Sequence, residues 1–133
     1  MSDEQRQVLV VEDDAEINEL VGAYAQLAGF AYEAALTGEA GLEKAARHRP
    51  ALIILDVMLP DVDGFEVCRR LKASEQTVSI PVVILTALEG EAYQRQSVEC
   101  GAVDFLSKPF DPDQLMEAMR AHATDGRGTQ EQG

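Results

Sequence analysis

Polar and charged residues stand directly after the short apolar runs of this chain. Glu12, Asp13 and Asp14 follow the run at 8–11, Asp56 follows 51–55, Thr86 follows 81–85, and Ser107, Lys108 and Pro109 follow 103–106. Glu12, Asp13 and Asp56 would bring three negative charges that repel at close range, and a divalent cation with Lys108 would supply three positive ones. Oxygen donors select a hard ion. Mg²⁺ keeps part of its water and bridges readily to phosphate, so it suits such a cluster better than zinc does. Beside that cation, a carboxylate oxygen of Asp56 is a nucleophile toward phosphorus, because the metal and Lys108 neutralise charge on the transferred group. The product would be an acyl phosphate, to which the Thr86 hydroxyl could donate. Taken singly, each residue reads as an ordinary helix cap or strand end. Their co-occurrence after four of five runs carries the chemical reading.

The elements that must position them are legible as an alternation. Runs at 8–11, 31–36, 51–55, 81–85 and 103–106 alternate with helical patterns, which is the signature of βαβ units and a parallel sheet. The first, third and fourth runs are apolar on successive residues, as strands covered by helices on both faces are. The expected fold is α/β, a doubly wound five-stranded parallel sheet. Ligands of such sheets bind beyond the carboxyl ends of the strands, where strand order reverses. A first amphipathic helix presents Ile17, Leu20, Val21, Tyr24, Leu27 and Ala28 at helical spacing, capped by Asp14 and ended by Gly29. A second runs 38–48 behind Thr37, and a third starts near Phe65 with the stripe Val67, Cys68 and Leu71. The fourth, 89–99, is the least apolar and is expected to be loosely held, with Gly101 as its stop. The last starts at Pro112 behind Asp111, turns Leu115, Met116 and Met119 inward, and ends near Ala123.

Length and charge bound the rest. The 133 residues suit one domain. With 24 acidic against 11 basic residues the net charge is −13, which disfavours direct binding to nucleic acid or to anionic membranes. No run approaches the roughly 20 residues that span a bilayer and no signal peptide is recognisable, so a cytoplasmic protein is expected. Cys68 and Cys100 lack metal-ligand spacing and read as core thiols. His48 and His122 sit near helix ends and receive no role. Residues 124–133 read as a disordered tail or the start of a linker.

In order and spacing, VVEDD (10–14), LDVMLPDVDG (55–64), LTA (85–87) and DFLSKPF (104–110) make residues 8 to about 123 resemble the receiver domain of two-component response regulators. The resemblance implies a flavodoxin-like (βα)5 domain over 1–123 with strand order 2-1-3-4-5. It implies that Asp56 takes a phosphoryl group from a sensor histidine kinase or a histidine phosphotransfer protein, with Mg²⁺ as cofactor. By position, Asp13 matches a direct metal ligand, Glu12 one acting more often through water, and Met58 a ligand through its main-chain carbonyl. Asp14 then matches a helix cap, Thr86 and Lys108 the phosphate-sensing pair, and Lys108–Pro109 a cis peptide. Phe105 matches a switch aromatic that rotates as Thr86 moves, remodelling the face of the fourth helix, fifth strand and fifth helix for a partner or effector domain. Such a domain is a regulator rather than an enzyme, catalysing only its own phosphorylation and slow dephosphorylation. In the family, residues two places after the acceptor and two after the switch threonine influence the hydrolytic water; here they are the apolar Met58 and Leu88.

The winged-helix transcription class carries an acidic pair and a helix arginine where this chain has Val103 beside Asp104, and Ala118, so that class is not assigned. Three other readings compete. A haloacid-dehalogenase-type phosphatase needs a second aspartate where Met58 stands, because methionine cannot protonate a leaving alcohol. A flavodoxin-like cofactor binder needs a phosphate-cradling loop where Glu12, Asp13 and Asp14 stand. A pseudo-receiver would lack one of the site residues, and none is missing.

Overall fold

In the computed structural model, which describes residues 6–124, the five runs form strands β1 (Gln7–Val11), β2 (Ala31–Ala35), β3 (Leu52–Leu55), β4 (Val82–Thr86) and β5 (Asp104–Ser107). All neighbours pair in parallel, in the order β2-β1-β3-β4-β5. The strands with unbroken apolar sequence, β1, β3 and β4, occupy the middle and are buried almost throughout. β2 and β5 take the edges and are half-buried, which their mixed composition tolerates.

Alternation along each strand divides the core in two. Val8, Val10, Leu52, Ile54, Val83 and Leu85 face α1 (Ala15–Leu27) and α5 (Pro112–His122), which bury Val21, Ala25, Leu115 and Met119 against them. Leu9, Val11, Ile53, Leu55, Val82 and Ile84 face the side of α2 (Gly38–His48) and α3 (Gly64–Ala73), where Ala45, Val67, Cys68 and Leu71 are buried. Tyr93 of α4 (Glu91–Glu99) packs on that same cluster, although the only buried residue of α4 is Ser97. Asp14, Thr37, Asp63 and Asp111 each cap the helix that follows by accepting backbone amides, and Pro112 opens α5.

Several sequence boundaries move by a residue or two. β1 begins at Gln7, β2 stops before Leu36 and β3 starts after Ala51. The last two strands shift together: Thr86 pairs with Ser107 and closes the ladder, so both residues end strands instead of following them. Pro81 lacks an amide and contributes only its carbonyl, to Ile53 N at 3.0 Å. α4 starts at Glu91 because Gly90 has φ +119°, a conformation that glycine alone adopts easily and that no helix continues through.

The inward face of α1 is corrected in part: Ile17, Val21, Tyr24 and Ala28 pack on the core as expected, but the two leucines do not. Leu20 and Leu27 are exposed, Leu27 by 71%, and the buried residues are Asn18, Val21, Gly22 and Ala25. The Tyr32 ring from edge strand β2 occupies the space that a Cβ on Gly22 would fill. The helix therefore packs on the core through Val21, Ala25 and the partly buried Ile17 and Tyr24, and turns its leucines outward.

Cys68 and Cys100 are free and buried. His48 pairs with Glu33 and His122 with Asp104. Among the described residues, no helix is long and apolar enough to cross a membrane. The tail reading for 124–133 lies, apart from Thr124, outside the described residues.

Candidate functional site

β1 and β3 are hydrogen-bonded neighbours whose chain continuations diverge, α1 covering one face and α3 the other, so their carboxyl ends open a crevice. Glu12 leaves β1 with its amide held by the Ala35 carbonyl at 3.0 Å, and Asp56 leaves β3 with its amide on the Val11 carbonyl at 3.0 Å. Both side chains are almost wholly buried, Asp56 to 6% exposure, while Asp13 is exposed. Carboxylate oxygens of Glu12, Asp13 and Asp56 lie within 4.8 Å of one another. The Lys108 ammonium, arriving from β5, donates to Glu12 Oε1 and, at 3.1 Å, to Asp56 Oδ2. Lys108 follows the last strand pair closely, its amide on the Thr86 carbonyl at 3.0 Å, and the Lys108–Pro109 peptide is cis.

One ammonium among three carboxylates leaves the crevice short of positive charge, and the side chains respond accordingly. Burial pushes the Glu12 carboxyl above its ordinary range, against the pull of Lys108 and the Asp14 amide, and the charge on Asp56 adds to the rise. Burial also works against the Lys108 ammonium, but the Glu12 and Asp56 carboxylates outweigh it and hold that group above its usual value. An oxygen-only donor set with surplus negative charge fits a hard divalent ion and does not fit a soft one.

Thr86 is fully buried at the end of β4, its hydroxyl accepting the Leu88 amide at 3.4 Å. Phe105 pairs with Ile84, two positions before Thr86, so its ring packs on the face of the sheet that carries Val57, Ile84, Leu88 and Tyr93. Met58 donates its amide to Asp56 Oδ1 at 3.3 Å and is itself 59% exposed. Glu12, Asp13, Asp56 and Lys108 thus converge directly, with Thr86 and Met58 beside them and Phe105 one row below.

Three supporting residues escape a reading from sequence. Asn18 is 1% exposed, its amide nitrogen within 3.2 Å of the Val10, Glu12 and Ala35 carbonyls, and its oxygen accepts from Tyr32. It knits the ends of β1 and β2 beneath Glu12, yet in sequence it is a polar residue in a helix. Gly64 opens α3 where a Cβ would collide with the Asp56 carbonyl oxygen; only its place in the DG pair hints at that. Asp61 accepts amides from α2 across the loop, a partner remote in sequence.

Comparison with known proteins follows the same lines. Residues 8–120 match the family described as the response regulator receiver domain. The chain is 42% identical over 114 residues, 86% of its length, to the DNA-binding dual master transcriptional regulator RpaA of Synechocystis, of which that match covers 47%. It is 38% identical over its whole length to the transcriptional regulatory protein GltR of Pseudomonas aeruginosa, covering 55% of that protein. The chain therefore spans about half the length of these relatives. Among solved structures, a response regulator of Chloroflexus aurantiacus superposes with a TM-score of 0.84 at 30% identity, over 89% of this chain and 97% of that one.

Proposed function

Since the chain belongs to the response-regulator receiver domain family, we propose that it is a Mg²⁺-dependent phosphoacceptor whose acceptor is Asp56. The observation that carries this reading is Asp56 Oδ2 lying 3.1 Å from the Lys108 ammonium, inside a cluster whose three carboxylates come within 4.8 Å. Glu12, Asp13, Asp56 and the Met58 main-chain carbonyl would hold the ion. Bound there, Mg²⁺ supplies positive charge to the phosphoryl oxygens during transfer.

A carboxylate oxygen of Asp56 attacks phosphorus of a phosphohistidine on a sensor kinase or phosphotransfer protein. The P–N bond breaks and the electron pair leaves with the imidazole. Lys108 holds charge on the transferred group, and the Thr86 hydroxyl, released from the Leu88 amide, donates to a phosphoryl oxygen. Phe105 then moves into the space Thr86 vacates, altering the α4-β5-α5 face that a partner or effector domain would read. The domain regulates; its own chemistry is limited to gaining and slowly losing the phosphoryl group. Buried free thiols are in keeping with a reducing cytoplasm.

Amide spectra recorded with Mg²⁺ and beryllofluoride, which imitates a phosphoryl group on a carboxylate, test acceptor and switch together. Shifts are expected at Asp56, Thr86, Phe105 and along α4. Shifts around Asp56 that stop short of Thr86 and Phe105 would remove the switch, and an unchanged spectrum would remove the acceptor.

A further inference from the structure

Asp61 lies in the loop that joins β3 to α3, and both of its oxygens are used at the start of α2. Oδ1 accepts the Gly38 amide at 2.8 Å and Oδ2 the Glu39 amide at 3.0 Å. The first turn of a helix leaves four amides without intrahelical partners. In α2, the Thr37 hydroxyl satisfies one of them, accepting Ala40 N at 3.0 Å, while its carbonyl accepts Gly41 N at 3.0 Å as the first bond of the helix itself. Asp61 supplies acceptors for two more, Gly38 and Glu39, from a separate loop, and its charge faces the positive end of the helix. These amides, Glu39 first and then Gly38, hold the Asp61 carboxyl below the ordinary carboxylate range. The fit is close: a Cβ on Gly38 would lie 2.9 Å from Val67 Cγ2, 3.2 Å from Val62 Cβ and 3.3 Å from Asp61 Oδ1.

The same loop is tied at its other end. The Val57 carbonyl accepts Leu59 N at 3.1 Å and Gly64 N at 2.8 Å. Met58 sits between this tie and the Asp61 clasp. Loops fixed at two points give up less conformational freedom when a ligand orders them.

We infer that Asp61 is a positioning residue, which fixes the loop bearing the Met58 carbonyl by clasping the first turn of α2 and so couples cation binding to that turn. The inference rests on the metal reading above and adds a residue that touches neither the ion nor the phosphoryl group. A cap serving α2 alone would change stability and nothing else. Positioning has a second consequence, because coupling is reciprocal: if the clasp strengthens cation binding, the cation must strengthen the clasp by the same factor.

Calorimetric titration of the folded protein with MgCl₂ measures one side, and exchange rates of the Gly38 and Glu39 amides with and without Mg²⁺ measure the other. Asp61→Ala should bind Mg²⁺ about fivefold more weakly. Asp61→Asn, which keeps one acceptor oxygen, should fall between. In the wild type, saturating Mg²⁺ should slow exchange at Gly38 and Glu39 by a similar factor. Wild-type affinity in a folded Asp61→Ala protein, or unaltered exchange at the two amides, would overturn the inference while leaving the metal site standing. Absence of Mg²⁺ binding by the wild type would instead bring down the metal reading, and the inference with it.

Discussion

Asp56 and Lys108 stand 3.1 Å apart, and under the proposed function the persistence of an acyl phosphate there would depend on side chains beside them that carry no charge. Met58 is largely exposed at the rim, and Leu88 packs half-buried where the chain leaves Thr86. Neither can orient or activate water, and both are apolar. Met58→Asn combined with Leu88→Glu should therefore speed loss of phosphate roughly tenfold, about 1.4 kcal/mol of barrier, measured by decay of the phosphorylated protein in Mg²⁺. Decay no faster than the parent's would show that these positions do not set the lifetime. At this scale the sequence is informative wherever a residue acts through its own chemistry. Glu12, Asp13, Asp56, Thr86 and Lys108 all announce themselves by following apolar runs. Asn18, Asp61 and Gly64 act through the place that folding gives them, and nothing local separates a buried asparagine that joins three carbonyls from one on a wet helix face.

At the scale of elements, the helices are held unequally. α3 buries Gly64, Phe65, Val67, Cys68 and Leu71, while α4 buries Ser97 alone and starts at Gly90 with no side-chain cap. Few apolar anchors and an uncapped start make local opening of α4 inexpensive. Its amides should exchange much faster than those of α3, and should slow when beryllofluoride and Mg²⁺ bind. Protection gained elsewhere but not in α4 would count against α4-β5-α5 as the responding face. The order of elements and the apolar stripe of α3 were readable from periodicity, and the caps Asp14, Thr37 and Asp111 from residue type, but the Asp63 cap of α3 was not. The ends of the elements were less so, because a strand stops where its ladder stops, as Thr86 shows by pairing with Ser107. The inward face of α1 was readable only in part: Ile17, Val21, Tyr24 and Ala28 pack on the core as helical spacing suggests, but Leu20 and Leu27 point outward, and the Tyr32 ring lies over Gly22.

Over the whole molecule, the cation and the fold should stabilise one another. Three of the chain's 24 acidic side chains converge at Glu12, Asp13 and Asp56, so an ion held only by the folded arrangement raises the free energy of unfolding. Mg²⁺ at a hundredfold above its dissociation constant should add about 2.7 kcal/mol to stability in urea. Sodium chloride at matched ionic strength controls for general screening. Asp13→Ala should abolish the Mg²⁺ increment, and equal midpoints with and without Mg²⁺ in the parent would contradict a folded-state site. The doubly wound sheet explains why residues so far apart in sequence meet at all: its switch point opens between β1 and β3, and β4 and β5 bring Thr86 and Lys108 alongside. The claim on which the rest depends is that Asp56 accepts the phosphoryl group. Intact mass after incubation with acetyl phosphate and Mg²⁺ tests it directly. The wild type should gain about 80 Da, the gain should vanish with excess chelator, and Asp56→Asn should show none; an equal gain in Asp56→Asn would contradict the account.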